Sequence, residues 1–225
     1  MKIIRLKLLT HKLQEEKEFY SQILGFELIE ESLHHFTVQV GWSELTFEKS
    51  VTSHTYHYCF LIPSNKLNEA LEWMKNRVEI VEDQEMNQIQ LFESWNAESF
   101  YFFDKSGNLA EFIVRNDLDN KLDEGFNISQ VLCLSEIGVP VKDIARTSQY
   151  LNQQMGVEIW KGDVERFAVV GDQDGLLLLP NYEVKKSWFP TEIKVKPEPI
   201  EALIEIGKNR FQLAYNKEAF EIFKL

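Results

Sequence analysis

The most constraining feature of this 225-residue chain is that it repeats itself. A gap-free shift of 131 residues lays Leu24-Gly25-Phe26-Glu27-Leu28 on Met155-Gly156-Val157-Glu158-Ile159. The same shift carries Leu6, Leu8 and Leu13 onto Ile137, Val139 and Ile144, and Phe36 and Val38 onto Phe167 and Val169. A register held over about 45 residues, in apolar pattern more than in identity, makes residues 2–50 and 133–180 two copies of one unit.

The shape of the unit follows from its periodicities. Each copy opens with an alternating apolar run, Ile4-Leu6-Leu8 or Ile137-Val139-Val141, the pattern of a half-buried strand. A helix follows: Leu13, Tyr20 and Leu24 recur near helical spacing among Gln14, Glu15, Glu16 and Lys17, and Gly25 and Gly156 stand where helices end. Strands are expected next, near 26–31, 35–40 and 44–48 in the first copy, giving a β-α-β-β-β module. Residues 55–115 read the same way with more insertion. There a strand (56–62) precedes a helix (66–76) whose Leu67, Ala70, Leu71 and Met74 share a face, and a hairpin turns through Asp104-Lys105-Ser106-Gly107-Asn108. The tail predicts a shortened fourth copy: strand Glu192 to Lys196, helix Ile200 to Ile206, then strands Phe211 to Tyr215 and Ala219 to Phe223. Arg115 to Ser129 is rich in Asp and Asn without periodicity and is expected to separate two halves.

Composition narrows the partners. A formal charge of −12 repels the phosphate backbone that dominates nucleic-acid affinity, so neither nucleic acid nor an anionic membrane is expected. Cys59 and Cys133 lie in apolar runs without metal-type spacing and read as buried free thiols of a reducing cytoplasm. The opening residues carry Arg5 and Lys7 inside their apolar run, unlike a signal peptide, and a cytoplasmic location is expected.

Three segments carry a resemblance: Phe19-Tyr20 with Leu24-Gly25-Phe26; Ser99-Phe100-Tyr101-Phe102-Phe103-Asp104 with Gly107-Asn108-Leu109-Ala110-Glu111; and Gly138-Val139-Pro140-Val141-Lys142-Asp143. In this order on the module pattern, the sequence resembles the vicinal oxygen chelate superfamily, which includes glyoxalases, bleomycin-resistance proteins and extradiol dioxygenases. The resemblance implies an α+β fold of tandem modules paired into two cup-shaped domains, residues 1–116 and 130–225, joined by a linker at 117–129, with the second shortened. It also implies a small-molecule ligand and one divalent metal, iron, manganese, zinc or nickel, in a monomer or homodimer. Function varies within the cup, so the fold does not select the reaction.

The family's ligands come from first and last strands of modules, commonly two His and one carboxylate. Here the resemblance assigns His57 and Glu111 as metal ligands. By period two, Glu111 shares its face with Leu109 and Ile113, where an unpaired carboxylate is costly, so it needs a partner. The matching first-module positions hold Arg5 and Thr46, which are assigned to substrate binding. Two arrangements follow. Arg5, which cannot ligate a metal, faces Glu111 as an ion pair in a degenerate site; or a shifted metal takes His57, Glu111 and a first-module imidazole, His35 or His54. All five histidines lie before residue 58, so Glu136 and Glu221 of the later modules read as ordinary strand carboxylates. Two functions remain: a metal-dependent lyase or dioxygenase acting on vicinal oxygens in the first cup, or a metal-free binding or sequestering protein of the bleomycin-resistance type.

Overall fold

Alternation and its interruptions set the strands. In β1 (Lys2–Thr10) Ile3, Leu6 and Leu8 are buried, and a bulge between Ile3 and Arg5 places them on one core face despite their odd spacing. The computed structural model describes residues 1–225 and realises the repeat. In the first unit, β1 leads into helix α1 (Leu13–Glu18), extended by a wider turn at Phe19–Ile23, then into β2 (Leu28–Glu31), β3 (His35–Val40) and β4 (Ser43–Lys49). The second unit comprises β5 (His57–Leu61), α2 (Leu67–Lys75), the short β6 (Ile80–Val81) and β7 (Gln90–Phe92), β8 (Ala97–Phe103) and β9 (Leu109–Arg115). The third is β10 (Cys133–Gly138), α3 (Ile144–Met155), β11 (Ile159–Gly162), β12 (Phe167–Asp172) and β13 (Gly175–Pro180). Asp143 caps α3 by accepting the Arg146 N–H at 2.9 Å. Gly156 ends α3 at φ 73°, and Gly25 follows the first unit's helix at φ 81°, as the repeat requires.

The tail differs from expectation. Residues 200–206 form a strand, β14 (Ile200–Ile206), and not a helix; Glu192 to Lys196 is not a strand; β15 (Asn209–Asn216) and β16 (Ala219–Lys224) complete an antiparallel meander. The reason lies in burial: Ile200, Ala202 and Ile204 point inward and alternate with Glu201, Leu203 and Glu205, a period of two, while Ile200, Leu203 and Ile204 also fit the i, i+3, i+4 spacing of a helix.

Module pairing also differs. One seven-stranded sheet runs β16-β15-β14-β1-β4-β3-β2, so the first unit joins the tail. The other runs β11-β12-β13-β10-β5-β9-β8-β6, with β7 on β8, so the second unit joins the third. Neighbours in sequence therefore do not share a sheet within residues 1–116 or 130–225. The first strands decide this, β1 pairing antiparallel with β14 and β10 with β5. The segment 117–129 is tied down along α2: Asn120 accepts the Ser64 N–H at 2.8 Å, and Phe126 packs edge-on to Trp73 and Phe112. It thereby delivers β10 to the edge of β5 and leaves β1 open to the tail.

The faces opposite the cups, Leu6, Leu8 and Phe47 of one sheet and Tyr58, Phe60 and Phe112 of the other, belong to a single core with the helices. Each such fully buried side chain contributes about 1.5–3 kcal/mol. No helix is long and apolar enough to cross a membrane.

Candidate metal centre in the aromatic cup

The second sheet brings three central strands side by side, β10, β5 and β9, and each contributes one side chain to a candidate ligand set in its cup. These are Glu136, His57 and Glu111. One ligand atom from each lies within 4.8 Å of the others, and all three residues are buried. His57 is oriented by its own backbone neighbourhood: Nδ1–H donates to the Leu109 carbonyl at 3.0 Å, which leaves the Nε2 lone pair facing Glu111 Oε2 at 3.5 Å. Burial pushes the His57 pKa down to about 4, more than the Leu109 hydrogen bond restores, so the imidazole is neutral at pH 7. Burial and then the Glu136 charge raise Glu111 to about 8. Glu136 is also raised by burial, with Arg115 opposing.

Arg115, the last residue of β9, is fully buried and its Nη2 bonds Glu136 Oε1. Its guanidinium lies 5.7 and 5.6 Å from the centroids of Trp95 and Trp160, where cation–π attraction supports a buried charge. With both carboxylates ionised, the one fixed cation leaves the cluster one positive charge short.

Above the cluster is a cavity of about 280 Å³, walled by Phe92, Trp95, Tyr101, Phe167, Trp188 and Phe189. Trp188 stacks obliquely on His57 at 4.8 Å. It can do so because Gly138 in β10 has no side chain: a Cβ there would lie 2.6 Å from the Trp188 ring. Lys185 and Arg166 border the same cavity. Burial, with Arg166 beside it, lowers the Lys185 pKa.

Of the residues expected at the site, His57 and Glu111 meet here and Arg5 and Thr46 do not. Arg5 bonds Glu44 through Nε at 2.6 Å at the surface of the other sheet, and Thr46 Oγ1 pairs with Thr37 Oγ1 at 2.9 Å beside it. The Arg5–Glu111 ion pair is therefore absent. A buried arginine does compensate a carboxylate, but it is Arg115 on Glu136. The first-module imidazoles are engaged elsewhere, His35 with Ser32 and Glu30 and His54 with Glu198, so the third group of the cluster is Glu136. Glu136 was legible as the residue the 131-residue shift lays on Arg5, but its cup depended on which modules pair. Arg115, Lys185, Arg166 and Trp188 carried no sequence signal.

The profile of the Glyoxalase/Bleomycin resistance protein/Dioxygenase superfamily matches residues 2–112. Residues 2–112 belong to that superfamily. The match spans the first two modules, which here lie in different sheets. No curated protein matches the sequence. Among solved structures, a protein named as a candidate dioxygenase from Bacillus subtilis subsp. subtilis str. 168 aligns over 100% of this chain and 84% of its own, with TM-score 0.67 and 12% identity. Two glyoxalase I variants from Zea mays align over 99% of this chain, with 90% and 93% of their own chains covered, TM-scores of 0.59 and 0.61, and identities of 11% and 12%. At such identities the likeness describes the fold.

Proposed function

We propose that the aromatic cup is a metal-dependent small-molecule site in which His57, Glu111 and Glu136 hold one divalent cation. The observation that carries this is the convergence of three buried ligand atoms within 4.8 Å at the cup floor. One imidazole nitrogen and carboxylate oxygens suit iron, manganese, zinc or nickel, and the cluster's missing positive charge is what such an ion supplies. When bound, the metal would act as a Lewis acid toward the oxygens of a chelating substrate. The chain's own residues do the rest. Leu109 fixes the His57 tautomer, Arg115 holds Glu136 in place, and the aromatic walls exclude water and orient a ligand ring. This supports a lyase or dioxygenase acting on vicinal oxygens, placed in the cup formed by the second and third modules.

A second reading, a metal-free binding protein, is favoured by one observation. With Glu111 raised to about 8 and Arg115 on Glu136, a proton can balance the cluster without a metal. Elemental analysis separates the two. The metal reading expects close to one transition metal per chain, lost in the double variant His57→Ala/Glu111→Ala; full retention in that variant, or a metal-free parent refractory to loading, overturns it.

A further inference from the structure

We infer that the cup selects a flat aromatic acid, inserted ring first, whose anionic group is held at the rim by Arg166 and Lys185. This rests on the reading of the cup as a small-molecule site and names its substrate class. The walls supply the ring specificity: six aromatic side chains surround a cavity of about 280 Å³, near the lower end of the roughly 300–1,000 Å³ usual for ligand sites, so a one- or two-ring molecule fits and a large one does not.

The rim supplies the charge specificity. Neither Arg166 nor Lys185 makes an ion pair, so both charges are open to a ligand. Lys185 Nζ donates to the Ser187 carbonyl at 2.8 Å and lies 6.0 and 5.9 Å from the Phe167 and Trp188 centroids, so it is held over the cup. The nearby acids Asp83, Glu85 and Glu192 border an adjoining cavity with both cations but bridge to neither. At the other end the one cation, Arg115, is already taken by Glu136, so the floor of the chelator-treated cup offers an anion no partner. Orientation follows: the charge stays at the rim, and an uncharged portion of the ligand reaches the floor.

Phenylacetate, its neutral isostere phenylacetamide and the aliphatic acid hexanoate test this by calorimetry on chelator-treated protein. The parent is expected to bind phenylacetate at least about tenfold more tightly than either, about 1.4 kcal/mol. In Arg166→Gln/Lys185→Gln the acid-over-amide ratio should fall to within about twofold while phenylacetamide affinity is unchanged, since only the charge-assisted bonds are lost. Equal binding of acid and amide by the parent, no phenylacetate binding, or a ratio that persists in the double variant overturns the inference. So does hexanoate binding as tightly as phenylacetate. Metal content and the same titrations in His57→Ala/Glu111→Ala keep the two readings apart. An acid preference in a parent that takes up no metal sustains the aromatic-acid site while removing the metal-dependent function; metal lost from the variant with the acid preference intact sustains both.

Discussion

The two cups descend from one repeat and have diverged in what they bury. In the sheet of the first unit and the tail, the concave face carries Arg5, Lys7, Glu48 and Glu201, each satisfied by a neighbour and at least partly open to solvent: Arg5 on Glu44, Lys7 on both Glu48 and Glu201. In the sheet of the second and third units, the equivalent face buries His57, Glu111, Glu136 and Arg115 under a wall of aromatic rings. The 131-residue shift sets Arg5 against Glu136 directly. Ion pairs that reach solvent have modest worth and specify little, whereas charges withdrawn from water persist only if something compensates them. The contrast is the ground for proposing the site in the cup whose floor is buried.

Metal content gives the sharpest break between the cups. His57→Ala/Glu111→Ala should empty the aromatic cup, while Arg5→His, which would add an imidazole at the repeat-equivalent position of the other cup, should bring no additional metal; mass spectrometry of purified proteins checks both. A gain in Arg5→His would show that the polar cup is a latent site as well. Next in size is the buried pair. Arg115→Met leaves Glu136 buried without its cation and should destabilise the protein by about 3–5 kcal/mol in urea unfolding, a loss that an added divalent metal should partly restore.

The joint between the cups offers a pH test. Glu16 of α1 reaches the hairpin turn between β8 and β9, accepting the Ser106 N–H at 2.5 Å, and its Oε2 has no hydrogen-bond partner. Burial, then Asp104, raises its pKa to about 9. Asp104, held by Tyr58 and Asn108, is itself raised by burial. The folded state thus keeps a proton that the unfolded chain releases near 4.5, so this contribution is full below 4.5 and is lost as pH rises toward 9. Relative to the parent, Glu16→Gln should gain stability between pH 6 and pH 9, measured as urea midpoints. A parallel pH profile would mean that the joint holds no proton. The smallest effect belongs to the solvated cup: Arg5→Met should shift stability by no more than about 0.2–1 kcal/mol, because its pair with Glu44 is exposed. A loss as large as that of Arg115→Met would erase the distinction between the cups.

Much of the fold was readable. The 131-residue repeat, the helix-ending Gly25 and Gly156 and the hairpin through Asp104–Asn108 are local features written in apolar periodicity and turn chemistry, and each appears where expected. His57 and Glu111 were readable too, since both lie in the second module and adjacent parallel strands bring them together whatever that module pairs with. The tail was misread at Ile200–Ile206 because a short run satisfies either period until its neighbour is known. Beyond these local features, tertiary structure made the decisions. Which module covers which is settled by the free edges of β1 and β5, a long-range choice that leaves no mark on hydrophobic pattern. That choice removed Arg5 and Thr46 from the site, brought in Glu136, and let Trp188 settle over Gly138. Sequence alone determined the module and two of the three ionisable groups at the cup floor; the pairing of first strands decided the third, because burial and compensation of charge are properties of the assembled sheet.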